Sequence, residues 1–161
     1  MTTLGITGHR ALPQKSDWDW VADHLRALVL ATPPPLKGIS SLAVGVDQLF
    51  ASIVLEAGGI LDSVIPFEGY DRIFSRSEFF NFQRLRGLCA TVEVLERVGS
   101  DEECYLAAGR RVVDLCDQML AVWNGRPAEG LGGTADIVAY AVRQHKRIVH
   151  LNPVKRRVTE A

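Results

Sequence analysis

Two kinds of apolar pattern alternate along the chain. Short, nearly unbroken apolar runs at residues 4–7, 39–44, 60–67, 118–123 and 148–151 each predict a strand buried on both faces. Between them, at 18–31, 47–57, 79–88, 102–116 and 135–145, apolar residues recur every three or four positions, which predicts helices. A briefer alternation at 91–95 predicts one more strand, whose place in the sheet the pattern leaves open. Helix starts are marked by Ser16-Asp17, Asp47, Asp101 and Thr134, whose side-chain oxygens suit backbone amides. Breaks are marked by Pro33-Pro34-Pro35, Gly58-Gly59 and Asn124-Gly125.

Strand alternating with helix predicts an α/β fold: three layers, α/β/α, around a mostly parallel sheet. One domain spans 1–153, and 154–161, with Lys155-Arg156-Arg157, reads as a flexible solvated tail after the last apolar run. In open parallel sheets ligands bind where loops leave the carboxyl ends of the strands, so the chemistry is expected there.

Composition narrows the partners. A chain of 161 residues suits one domain with a real core. With Lys+Arg 18 against Asp+Glu 19 and net charge -1, nothing draws the whole molecule to a polyanion, and nucleic acid is disfavoured. No basic leader precedes the first strand, and no apolar run approaches the roughly 20 residues of a membrane span, so a cytoplasmic protein without membrane association is expected. Cys89, Cys104 and Cys116 are odd in number and lack ligand spacing, which predicts reduced buried thiols and no metal; no cofactor is expected either.

Three loops carry the candidate chemistry. After the first strand, Gly8 permits close backbone approach, His9 stands out among the four histidines, and Arg10 offers a forked contact to phosphate or carboxylate; a tight turn with a solvated arginine is the plainer alternative. From Ser40 to Asp47, small residues and Gly45 lead to a helix start whose amides suit an anion or ribose, with Asp47 serving either as cap or as ligand contact. The third runs from Trp123-Asn124-Gly125 through the glycine-rich stretch 130–133 to Thr134, where glycines, amides and a hydroxyl form a phosphate cradle of Gly132, Gly133 and Thr134. Glu68 and Tyr70 sit on a polar, aromatic loop that could cover the site as a lid, and Trp123 reads as core. Neither the Walker pattern nor the dinucleotide fingerprint fits these glycines.

Taken in order, the segment Gly5 to Arg10, the Ser-x-Leu-Ala-x-Gly-x-Asp stretch from Ser40 to Asp47, and Gly132-Gly133-Thr134-Ala135-Asp136 resemble the SLOG superfamily. Pro66-Phe67 with Tyr70, Tyr105 with Gly109-Arg110, and Ala121 to Gly125 add to the likeness. The superfamily comprises Rossmann-like domains that include LOG-type phosphoribohydrolases, DprA-like proteins and nucleotide sensors. The resemblance implies phosphate binding by the Gly132-Gly133-Thr134 turn, a catalytic acid at Asp136, an assisting arginine at Arg110 or Arg111, and a homodimer or higher homo-oligomer. Aspartate stands where LOG-type enzymes have glutamate, retracting the carboxylate by one methylene, and misplacement by about 1 Å can cost on the order of a hundredfold in rate. Binding of a nucleotide or nucleotide-derived phosphate ligand, as in a sensor, therefore ranks first. N-glycosidic hydrolysis of a nucleoside 5'-monophosphate is the alternative, and DprA-like single-stranded DNA binding ranks below both.

Overall fold

The chain is wound outward from a central strand, β1 (Thr2–Gly8), in a computed structural model that describes residues 1–127, 131 and 133–161. The next strands, β2 (Leu36–Ser40), β3 (Ile60–Ile65) and β4 (Thr91–Val94), add in turn to one side of β1. The chain then crosses back. Strands β5 (Gln118–Val122), β6 (Arg147–Asn152) and β7 (Arg157–Glu160) build on the other side, giving the order β4-β3-β2-β1-β5-β6-β7. All pairs are parallel except β6–β7. This is a Rossmann-like three-layer α/β fold, and the order reverses between β1 and β5, where loops part and leave a crevice.

Side-chain alternation along the strands assigns the faces. Leu4, Ile6, Leu120 and Val122 pack with Val21, Leu25 and Val29 of α1 (Lys15–Ala31) and with Phe50, Ile53 and Val54 of α2 (Val46–Glu56). Leu61 and Ile65 continue that face beneath Phe82 and Leu85 of α3 (Arg76–Gly87). On the opposite face Val64, Met119, Ala121 and Ile148 meet Val112 and Val113 of α4 (Asp101–Leu115) and Ile137 and Ala141 of α5 (Thr134–Arg143). Cys104 and Cys116 are buried thiols and Cys89 is half-buried. No helix among the described residues is long and apolar enough to cross a membrane.

Several boundaries differ from the apolar pattern, each for a local reason. β2 begins at Leu36 and stops at Ser40, because Ser40 Oγ accepts the Leu42 amide and Leu42 takes a left-handed turn at φ 57°. Helix α3 starts earlier, at Arg76, where its cap Ser75 forms a reciprocal capping box with Glu78 that satisfies the Ser75 and Glu78 amides. The caps of α4, α2 and α5 are Ser100, Gly45 and Gly133, each earlier than Asp101, Asp47 and Thr134.

Segment 154–161, expected as a flexible solvated tail, instead contains edge strand β7. It pairs antiparallel with β6, from Val149 opposite Glu160 to Asn152 opposite Arg157. Arg156 explains the docking: its guanidinium reaches Asp17 Oδ1 at 2.7 Å and the Ser16 carbonyl at 3.0 Å, and lies over the Trp20 ring. A basic triplet gave the sequence no sign of these α1 partners.

Candidate functional site

Two of the three loops interlock behind the crevice. Gly8 closes β1, and a Cβ there would lie 2.6 Å from Val46 Cγ1, so glycine lets the strand end lie flush on the start of α2. The Val46 amide donates to the His9 carbonyl at 3.3 Å. Gly45 adopts φ 98°, and a Cβ on it would overlap the Arg10 carbonyl oxygen. Both glycines are needed because backbone meets backbone or helix there.

Loop 41–45 is held by its own polar groups. Gln48 Nε2 donates to the Leu42 carbonyl at 3.1 Å, and Asn81 Nδ2 donates to Gln48 Oε1 at 2.7 Å, tying the loop to α3. Asp47, in the first turn of α2, turns its carboxylate back to accept the Ala43 amide at 3.4 Å. It caps the loop rather than the helix, and it faces the crevice.

That crevice is a cavity of about 400 Å³ at the carboxyl ends of β1, β2 and β3. The strand ends contribute Thr7, Gly8, His9, Arg10, Ser41 and Pro66; α2 contributes Asp47; α4 contributes Glu102, Tyr105 and Gly109; α5 and its cap contribute Gly133, Thr134 and Ile137. Tyr70 forms the floor within an aromatic cluster, edge-on to Phe67, Phe74, Phe82 and Tyr105. The Arg10 guanidinium lies 5.0 Å from the Tyr105 ring centroid, an arrangement that fixes its direction while leaving it exposed.

Burial dominates the electrostatics. It pushes the Asp47 carboxyl up to about 7, against the opposing pull of the Ala43 amide, the Arg10 charge, the Ser41 amide and the Ser40 hydroxyl. Asp47 thus carries a proton for much of the time near neutral pH and burdens an anionic ligand less than an ordinary aspartate would. Burial, and secondarily the Asp47 charge, also raises the Tyr70 phenol, which stays a neutral hydroxyl. His9 is lowered by burial, and its Nε2 accepts the Asn124 amide at 3.2 Å, so the neutral ring carries its proton on Nδ1.

A second cavity, of about 340 Å³, opens on the β5 side. Trp123, Asn124, Arg126, Pro127 and Ala135 line it, and it shares His9, Gly133 and Thr134 with the first. Trp123 is half-buried rather than core. Its Nε1 donates to the Arg126 carbonyl at 2.8 Å, and its ring packs 5.2 Å from the His150 ring. Asn124 Oδ1 accepts the Arg126 amide at 2.9 Å.

Gly8, His9, Arg10, Asp47, Gly133 and Thr134 therefore come together around the first cavity, with Asn124 in the second and Gly45 behind the wall. Gly125, at φ 83°, is an exposed turn that lines neither. Gly132 lies outside the described residues. Tyr70 is anchored floor rather than lid, since its ring is buried, and Glu68 is exposed and away from the lining. Asp136, in the first turn of α5, is not among the lining residues, and neither is Arg110, whose guanidinium lies 5.2 Å from the Tyr140 ring. Arg111 pairs with Glu93 at 3.1 Å.

The pattern missed Glu102 as a site residue. Its signal was available: 102, 105 and 109 fall on one face of a helix, and Gly109 permits the close approach of α4 to Ile137 of α5, whose Cγ1 would lie 2.8 Å from an added Cβ.

No family model matches the chain, and no curated protein matches it in sequence. Solved structures do match in fold. The chain is similar to DNA processing protein A (DprA) from Streptococcus pneumoniae, with TM-score 0.65 and 19% identity over 92% of this chain and 50% of that one. It is similar to DprA from Helicobacter pylori, described for its single-stranded DNA binding mode, with TM-score 0.67 and 18% identity over 92% and 64%. It is also similar to the Chlamydomonas rheinhardtii Moco carrier protein, with TM-score 0.58 and 16% identity over 94% and 76%. The chain thus spans half to about two thirds of the DprA chains, and what it shares with all three is the Rossmann-like fold.

Proposed function

We propose that the chain is a SLOG-type domain that binds a nucleotide or nucleotide-derived phosphate ligand at the β1/β5 crevice. The observation that carries this reading is the convergence of Arg10 and the first turn of α5 on one cavity at the point where the strand order reverses. The Thr134 and Ala135 amides precede the first bond of α5, which the Asp136 amide makes to the Gly133 carbonyl at 3.0 Å, and they sit at the positive end of the helix dipole, which favours phosphate there. Asp47, Tyr70 and Glu102 offer carboxyl and hydroxyl groups to the ribose or base beyond it.

Binding ranks ahead of glycosidic cleavage. Among the described residues, the carboxyl groups that line the cavity are Asp47 and Glu102, whereas Asp136 and Arg110, the residues the LOG likeness would assign to chemistry, are not among its lining. The DprA likeness keeps single-stranded DNA as a second reading, against which the net charge of -1 speaks.

Thermal shift and calorimetry with nucleosides and their mono- and diphosphates test the proposal. Phosphorylated forms should stabilise the chain and nucleosides should not. Arg10→Ala and Thr134→Ala should each weaken binding about tenfold, equivalent to about 1.4 kcal/mol. Unchanged affinity in both would remove the phosphate assignment. Release of free base, followed by chromatography, would shift the reading to hydrolysis. Affinity for an oligonucleotide that falls steeply with salt would shift it to DNA.

A further inference from the structure

Resting on that reading, we infer that the ligand is two-headed: its phosphate group is substituted on both sides, as in a dinucleotide, with one head in each cavity. The two cavities meet at His9, Gly133 and Thr134, so the start of α5 stands between them rather than at the end of one. A nucleotide with a single head would occupy one cavity and leave its neighbour to water. Each cavity, at about 400 and about 340 Å³, falls within the usual ligand-pocket range of roughly 300–1,000 Å³.

The chemistry of the two halves differs as two heads require. The first is rich in hydrogen-bonding groups, with Asp47, Tyr70 and Glu102 around one end. The second is lined by Trp123, whose Nε1 donates to the Arg126 carbonyl and whose ring packs against His150, and its indole offers a platform for a planar base. Charge agrees. Among the described lining residues there is one guanidinium on each side, Arg10 in the first cavity and Arg126 in the second, while Asp47 and Glu102 border only the first. A linked pyrophosphate carries one charge per phosphate and suits one arginine on each side. A terminal phosphate with two charges, pressed towards Glu102, suits it less. Neutral His9, with its Nδ1–H, adds a donor at the junction without adding charge.

The test compares ligands that share two phosphates and differ in the number of heads. Diadenosine pyrophosphate against ADP, and diguanosine pyrophosphate against GDP, are titrated calorimetrically into the full chain. In at least one pair the two-headed member should bind at least tenfold tighter, and Trp123→Ala should bring that ratio close to one. Trp123→Leu, which keeps apolar bulk without the stacking face, should do the same if the alanine variant fails to fold. Equal affinity within both pairs overturns the two-headed ligand while leaving nucleotide binding in place. Failure of all four to bind overturns both. A ten-residue oligothymidylate that binds tighter than either dinucleotide also overturns it, because the crevice would then track a strand.

Discussion

Gly45→Ala is expected to destabilise the fold by about 3 kcal/mol, combining backbone strain with a backbone collision. At φ 98° and ψ -126°, Gly45 occupies a region that side-chain-bearing residues enter only at a cost of about 1–3 kcal/mol. Its new Cβ would overlap the Arg10 carbonyl oxygen and come within 2.7 Å of the carbonyl carbon and 2.8 Å of Cα. None of these atoms can swing aside as a side-chain tip could. Either the loop of His9 and Arg10 moves out of the crevice or the first turn of α2 opens, and in both cases the Val46 amide loses its bond to the His9 carbonyl. Gly58→Ala provides the comparison: it has a similarly positive φ, 78°, but nothing lies within 4 Å of the added Cβ. Urea denaturation of the two variants should therefore show Gly45→Ala as the more damaging by about 2 kcal/mol, since the backbone collision is found at Gly45 and not at Gly58. Equal losses would mean that the interlock of the two loops contributes nothing. Nucleotide affinity should fall in Gly45→Ala and persist in Gly58→Ala, because only the first lies behind the cavity wall.

The pattern of apolar runs carried the sheet and its helices because short apolar runs bounded by turn residues alternate with longer stretches of helical period, which together fit strands buried on both faces. It placed Gly8, Arg10, Asp47 and Thr134 at strand ends and helix starts, where the topology then brings them together. What it lacked was anything that depends on distant partners. Residues 41–44 are apolar enough to extend a strand, but Ser40 Oγ and Gln48 turn them into a loop. Arg156 reads as a solvated basic residue until Asp17 and Trp20 are seen beside it. Tyr70 reads as a loop residue in a polar stretch, yet four other rings enclose it. The likeness to LOG-type enzymes supplied Arg110 by motif order alone, and on a helix one position decides which face a side chain takes. Gly109 faces the cavity, and Arg110 faces Tyr140.

Asp47→Asn is expected to change how stability depends on pH more than any other single substitution in the crevice. In the folded chain the Asp47 carboxyl titrates at about 7, raised from its ordinary value of 3.8 chiefly by burial. Between those two values the folded state holds a proton that the unfolded state has released. Stability must therefore fall as pH rises through this window, with ionised Asp47 working against the fold once pH passes the folded value. Between pH 5 and pH 8 the expected loss from this group is about 2.6 kcal/mol, from about 1.4 kcal/mol for each pKa unit. Among the described residues the groups around it are Arg10, Tyr70, Tyr105 and Glu102; Arg10 already opposes the shift, and the raised Tyr70 phenol stays neutral across the range. His9 acts in the opposite direction, since its lowered value favours the fold as pH rises through the histidine range. Its contribution is common to wild type and Asp47→Asn, so it cancels in their difference. Urea denaturation at pH 5 and pH 8 should show the asparagine variant gaining about 2–3 kcal/mol on wild type across that interval. A difference independent of pH would mean that Asp47 is solvated or paired well enough to stay ionised. The same titration governs binding. Above pH 7 ionised Asp47 adds negative charge to the cavity proposed to take phosphate, so nucleotide affinity should decline with pH in wild type and hold level in the variant.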